Sequence, residues 1–156
     1  MKVKAYRTLL DGCRYPYVVA ENGNYICDGR KTFMDPLTIY DFCETQLNMC
    51  GLTDEYAYVF ALDSKGKLMC LFEVGHGSSH CSTIGVRELF QKLILVNAAG
   101  FVFAHNHPSG DPTPSKEDAD LTEKIKQAGK VLDVQLFDHI VIGDRIYYSF
   151  AKEKKI

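Results

Sequence analysis

The chain has 156 residues, 46% hydrophobic and 24% charged, which suffices for one globular core without disulfides and falls short of two full domains. Its 18 basic and 20 acidic side chains leave a net charge of −2 with no long run of one sign, so the electrostatic footprint of a general nucleic-acid binder is missing. No apolar stretch approaches the roughly 20 residues that span a bilayer.

The opening stretch, MKVKAYRTLLDGCRY, lacks the apolar core of a signal peptide. Cys13, Cys27, Cys43, Cys50, Cys70 and Cys81 form no C-x-x-C pair, and are expected as free thiols in a reducing cytoplasm. Val3 to Leu10 reads as a strand, and Tyr17 to Ala20 with Asn24 to Cys27 as a hairpin turned at Glu21-Asn22-Gly23. Asp35-Pro36 then opens a helix, Asp as N-cap and Pro at the first helical position. Leu37, Tyr40, Cys43, Leu47 and Cys50 supply its apolar stripe, and Gly51 its stop. Glu55 to Leu62 and Lys67 to Val74 form two core strands joined by Asp63-Ser64-Lys65-Gly66, a tight-turn composition.

A Gly/Ser/His-rich loop from Gly75 to Ser82 leads into a second helix from Val86 to Ala99, with Leu89, Phe90, Leu93, Ile94 and Asn97 on helical spacing. Phe101 to Ala104 is short and wholly apolar, which suits a buried central strand. After Pro108 to Pro114 a third helix runs from Ser115 to about Lys130, and Val134 to Ile142 with Arg145 to Phe150 closes as a hairpin turned at Gly143-Asp144. The order implies a mixed α/β fold, a largely antiparallel sheet flanked by helices. With no repeat or linker, residues 1–156 read as a single domain, residues 1–34 being a strand-rich extension. Lys152 to Lys155 reads as a solvated tail.

The chemistry concentrates between His105 and Asp118. Two histidines separated by one residue at a strand end project to the same face, while Asn106 points to the other. Pro108, Gly110, Pro112 and Pro114 make a stiff loop that reverses the chain at low entropy cost. With Ser115 as N-cap, Asp118 is the third residue of the following helix, where the macrodipole favours its charge. Ser115 and Asp118 also make an ordinary capping box, and the two roles are compatible. Two imidazoles and one carboxylate are three of the ligands zinc prefers, leaving a fourth position open, as catalytic sites do.

The pattern H-x-H, seven residues, S, two residues, D places His105, His107, Ser115 and Asp118 in the register of the JAMM signature. With AHNHPSGDPTPSKED and the later LFDHIVIGD (Leu136 to Asp144), roughly residues 35 to 151 resemble the RadC-like branch of the JAB/MPN superfamily. The resemblance implies a JAB/MPN fold, of cytidine-deaminase-like architecture, and a zinc metallopeptidase-type hydrolase. His105, His107 and Asp118 would hold Zn2+, and a Glu would serve the bound water. That Glu maps onto Glu55, with Glu88 as fallback. Ser115 would donate a hydrogen bond to the oxyanion. The expected reaction is cleavage of an amide or isopeptide bond in a peptide or protein substrate by a metal-activated water.

His76 and His80 read as part of a polar loop over the cleft and not as a second metal site. His139 is expected near the site, as support for a ligand or as a satisfied core histidine. The aromatic residues, such as Tyr56, Tyr58 and Phe60, read as core and not as a base-stacking platform. The family carries a DNA-repair name, but residues 1–34 read as strands and turns and not as the helix-hairpin-helix region of full-length members, so nucleic-acid binding is not carried over. Two further readings stand beside the hydrolase. One is a non-catalytic protein-binding module that keeps the fold. The other, an HNH-type nuclease prompted by His105-Asn106-His107, fails because such nucleases spread those residues over a hairpin and a helix. No pattern in the sequence sets an oligomeric state or points to a membrane.

Overall fold

The computed structural model describes residues 1–21, 23–77 and 84–156. Its centre is a five-stranded sheet built from β5 (Glu55–Leu62), β6 (Leu68–Gly77), β7 (Gly100–Asn106), β8 (Gln135–Ile142) and β9 (Tyr147–Ser149). The strands lie in the order β6-β5-β7-β8-β9, and only β7 and β8 run parallel. Three helices flank it, α1 (Pro36–Leu47), α2 (Val86–Leu95) and α3 (Lys116–Leu132). The architecture is mixed α/β with a mostly antiparallel sheet, as the element order implied.

Alternation along the strands divides the core in two. Val59, Phe72, Phe101 and Phe103 pack with Leu89, Phe90 and Leu93 of α2 and Leu121 and Ile125 of α3. Phe60, Leu62, Val102, Ala104 and Ile140 pack on the opposite face with Ile39, Phe42 and Cys43 of α1. Every residue of β7 is buried, so this strand needs apolar or fully bonded side chains on both faces. The parallel step from β7 to β8 requires a crossover, and α3 supplies it. Its first turn therefore falls beside the end of β7.

The N-terminal part differs from expectation. The stretch read as one strand from Val3 to Leu10 is two, β1 (Lys2–Val3) and β2 (Tyr6–Leu10), separated where Ala5 bridges Leu71 of β6. The expected hairpin between Tyr17 and Cys27 is absent. β2 pairs instead with β3 (Pro16–Ala20), and β1 with β4 (Tyr25–Ile26). The cause is the turn after β2, where Asp11 Oδ1 accepts hydrogen bonds from the amides of Cys13 and Tyr15, both at 2.8 Å, and Arg14 adopts a left-handed φ of 66°. Of the turn expected at residues 21–23, Asn22 lies outside the described residues.

Helix α1 begins as predicted, with the Asp35 carboxylate accepting from the amides of Leu37 and Thr38. It stops earlier, because Asn48 takes the left-handed conformation that ends the helix, and Met49–Gly51 continue as one 3-10 turn. Its buried face is Thr38, Ile39, Phe42 and Cys43, so Cys43 of the expected stripe is buried while Leu37 is half exposed. Phe42 draws that face inward through edge-on contacts with Phe33 and Phe60 at 5.4 and 5.7 Å. Helix α2 is likewise shorter than expected and leaves Ile94 exposed, with Asn97 at a left-handed φ of 55° behind it. The hairpin between β8 and β9 forms as expected.

Two strands are longer than predicted, and both extensions bear on the site. β6 runs to Gly77, so His76 belongs to a strand and not to a loop. It stacks on Tyr56 at 4.0 Å with its Nε2 3.7 Å from Asp54. His80 and Cys81 lie outside the described residues. β7 runs to Asn106, which places His105 inside the sheet.

Candidate metal centre

His105 is fully buried at the C-terminal end of β7, and His107 follows it with its side chain on the same side. Their Nε2 atoms are 3.0 Å apart. The loop through Pro108 to Pro114 brings the chain back to Ser115, whose hydroxyl caps α3 by accepting the Asp118 amide at 3.1 Å. The capping box is complete. The Ser115 amide donates to Asp118 Oδ2 at 2.7 Å, and the Ser115 hydroxyl donates to the same oxygen at 2.6 Å. Asp118 Oδ1 lies 3.3 Å from His105 Nε2, and Oδ2 lies 3.4 Å from His107 Nε2.

His105, His107 and Asp118 are thus a compact donor group whose ligand atoms all lie within 4.8 Å of one another. Ligands about 2.0 to 2.1 Å from a tetrahedral zinc ion stand about 3.3 to 3.4 Å from each other, the spacing of the two imidazole–carboxylate contacts. The His107 ring is turned by the Asp111 carbonyl, 2.8 Å from Nδ1. A carbonyl only accepts, so Nδ1 carries the proton and Nε2 presents its lone pair to the group in the neutral ring. Two nitrogens and a carboxylate facing one point call for a cation there. The hydrogen bond to Asp118 raises the His107 pKa above its usual value despite burial. Burial opposes the charge of Asp118 itself, but the imidazoles of His105 and His107 beside it hold its carboxyl far below the ordinary range. The residues fit a divalent ion such as zinc in donor type, number and spacing.

Glu55 starts β5 and is buried. Ala57 lies opposite His105 in the antiparallel β5–β7 ladder, so Glu55, two residues earlier, shares its face and approaches His107. Its negative charge is among the influences that raise the His107 pKa, after the hydrogen bond to Asp118. Glu88 is exposed, and its side chain turns back on Gly85 at the start of its own helix. Ser115 is exposed at the rim beside Asp118, where its hydroxyl can meet a molecule lying over the site.

His139 stands beside a proposed ligand, where it was expected, whereas the parts played by Asn106, Thr122 and Asp138 escaped sequence reading. Asn106, on the far side of β7, accepts the Tyr56 amide at 2.8 Å through Oδ1 and donates to the Asp54 carbonyl at 3.1 Å through Nδ2. It thereby holds the two residues flanking Glu55. His139 Nε2 lies 2.9 Å from His105 Nδ1, with Thr122 behind it. Asp138 accepts from the amides of His139 and Ala151 and from the Ser149 hydroxyl at 2.7, 2.9 and 2.5 Å. Burial pushes its carboxyl above the usual range, against the lowering effect of those bonds. The one signal available beforehand was spacing, since Thr122 follows Asp118 by one helical turn and Asn106 separates the two histidines.

A three-helix, mostly antiparallel JAB architecture carrying a His-His-Asp group at the end of its buried central strand defines the class. The RadC-like JAB domain family matches residues 33–156, a little more than the stretch expected from the motifs, and the chain belongs to that family. It is similar to proteins named UPF0758 protein: 42% identical over 118 residues to that of Thermotoga maritima, covering 76% of this chain and 52% of the relative. The corresponding protein of Pelobacter propionicus is 38% identical over 120 residues, covering 77% and 52%. That of Trichlorobacter lovleyi is 37% identical over 122 residues, covering 78% and 52%. The chain spans about half the length of these curated relatives.

Proposed function

We propose that this chain is a zinc-dependent hydrolase of the JAMM type that cleaves an amide or isopeptide bond in a peptide or protein. The observation that carries the reading is the convergence of His105, His107 and Asp118 with a buried carboxylate, Glu55, on the same sheet face. Zinc, when bound by the three ligands, supplies a lowered water pKa, toward about 7, and polarisation of the substrate carbonyl. Glu55 then acts as general base, taking the proton of the attacking water and passing it to the departing amine. Ser115 donates its hydroxyl hydrogen bond to the developing oxyanion, which requires it to leave Asp118 Oδ2.

A role in DNA repair rests on the family name alone, and the net charge of −2 adds no nucleic-acid footprint to it. Among the described residues no helix is long and apolar enough to cross a membrane, and five cysteines are free thiols; a cytoplasmic site of action accords with both. The test is metal content and turnover together. Purified protein should take up one zinc per chain and hydrolyse amide bonds in a library of peptides and isopeptides only when loaded. Stoichiometric zinc with no turnover across that library would favour a binding module that retains the ion.

A further inference from the structure

The hydrogen bonds behind His105 form a continuous path. Thr122 follows Asp118 by four residues on α3, and its hydroxyl donates to the Asp118 backbone carbonyl at 2.6 Å. The same Oγ1 lies 2.6 Å from His139 Nδ1. A hydroxyl has one proton, and a carbonyl can only accept it, so the oxygen turns a lone pair to the imidazole and Nδ1 of His139 must carry a proton. The His139 ring is fully buried, stacked on Phe150 at 4.7 Å and edge-on to Phe103 at 4.7 Å, a setting that disfavours a charged ring. In the neutral ring Nε2 is then bare. It faces His105 Nδ1 at 2.9 Å, so that nitrogen is the donor.

We propose that Thr122 and His139 are positioning residues that fix His105 as its Nδ1–H tautomer and so aim its Nε2 lone pair at the metal centre. The opposite tautomer would point an N–H at the ion and could not ligate it. The path begins at the backbone of one ligand, Asp118, and ends on the ring of another, His105, so the start of α3 and the end of β7 are held in one arrangement. His107 receives the same orientation from a different source, the Asp111 carbonyl of the proline-stiffened loop. The inference rests on the reading of this group as a metal centre.

Nitrogen-15 correlation spectra of the histidine rings test the relay without any variant. His105 and His139 should both appear as Nδ1–H tautomers, His105 in the metal-free and the zinc-loaded protein alike. Zinc affinity, measured by competition with a chromophoric chelator, should fall by about 10- to 100-fold in Thr122→Val, which keeps the side-chain shape but loses the hydroxyl. Thr122→Ser, which keeps the hydroxyl, should retain wild-type affinity. An Nε2–H tautomer at His105, or a folded Thr122→Val that binds zinc as tightly as wild type, overturns the relay alone. Wild-type protein that takes up no zinc overturns the metal-centre reading, and the role of the relay with it.

Discussion

Asn106 completes the sheet where its backbone ladder ends: its side-chain oxygen accepts the Tyr56 amide at 2.8 Å, one position after Glu55. Its amide nitrogen donates to the Asp54 carbonyl at 3.1 Å, one position before it. The proposed base is therefore clamped on both sides by a residue lying between the two histidines proposed as metal ligands. Asn106→Ala should leave both backbone groups without this partner and cost about 1 to 3 kcal/mol of stability in urea unfolding. Turnover should fall more than zinc affinity, because the variant loosens Glu55 and not the ligands.

Glu55 and Glu88 are separated by a pair of conservative substitutions. Glu55→Gln should retain stoichiometric zinc and lose turnover by about 100-fold or more, the contribution expected of a general base. Glu88→Gln should hydrolyse at the wild-type rate, its carboxylate being exposed at the start of α2. Metal analysis alongside initial rates checks both.

Zinc should also stabilise the fold, because the three ligands come together only in the folded chain. At a thousandfold excess over its Kd the ion should add about 4 kcal/mol to the unfolding free energy of wild type. His107→Ala should show little of this gain, as should His105→Ala, which also empties a buried position. Thermal unfolding with and without zinc measures it.

Gly143 lets the proline-rich loop lie against the turn between β8 and β9. A Cβ there would stand 2.4 Å from the Gly110 carbonyl oxygen and 2.7 Å from Pro112 Cδ, neither of which can move alone. Gly143→Ala should cost about 1 to 3 kcal/mol through overpacking. Because the displaced segment carries the Asp111 carbonyl that orients His107, zinc affinity should fall as well. Denaturant unfolding and chelator competition read the two effects.

Asp138 gives a pH dependence with a definite sign. Burial raises its carboxyl pKa in the folded state, so the folded chain holds that proton more tightly than the unfolded chain does. Its contribution to stability is present in acid and is lost as pH rises from the ordinary aspartate value, about 3.9, through the raised folded value. In Asp138→Asn that loss disappears, so the stability difference between wild type and variant should shift in favour of the variant across this window. Urea unfolding of both metal-free proteins at several pH values checks the direction.

Legibility in the sequence followed the range of the interactions. The start of α1 was readable because Asp35 and Pro36 act on their immediate neighbours, and the β5–β6 turn because the Asp63 carboxylate accepts the amides of Lys65 and Lys67. The N-terminal pairing was not, because several strand partners were open to Tyr17 to Ala20 and a local contest decided among them. The Asp11 turn won it by bonding two amides at once. The buried face of α1 was misread in part for a related reason: helical spacing permits more than one stripe, and the aromatic packing of Phe42 on distant Phe33 and Phe60 selects it.

The sequence by itself determined the family, the mixed α/β class and the donor set, because His105, His107, Ser115 and Asp118 stand within one loop's reach and strand alternation and helix capping place them. The resemblance pointed to Glu55 and His139 as neighbours of that set, and only the tertiary structure decided how its surroundings meet it. Glu55 reaches it through strand register, Asn106 clamps Glu55 from the opposite face, and His139 meets His105 across 34 residues of chain. Such contacts depend on which strands become neighbours, a choice made by burial of the whole core and not by the residues beside them in the chain.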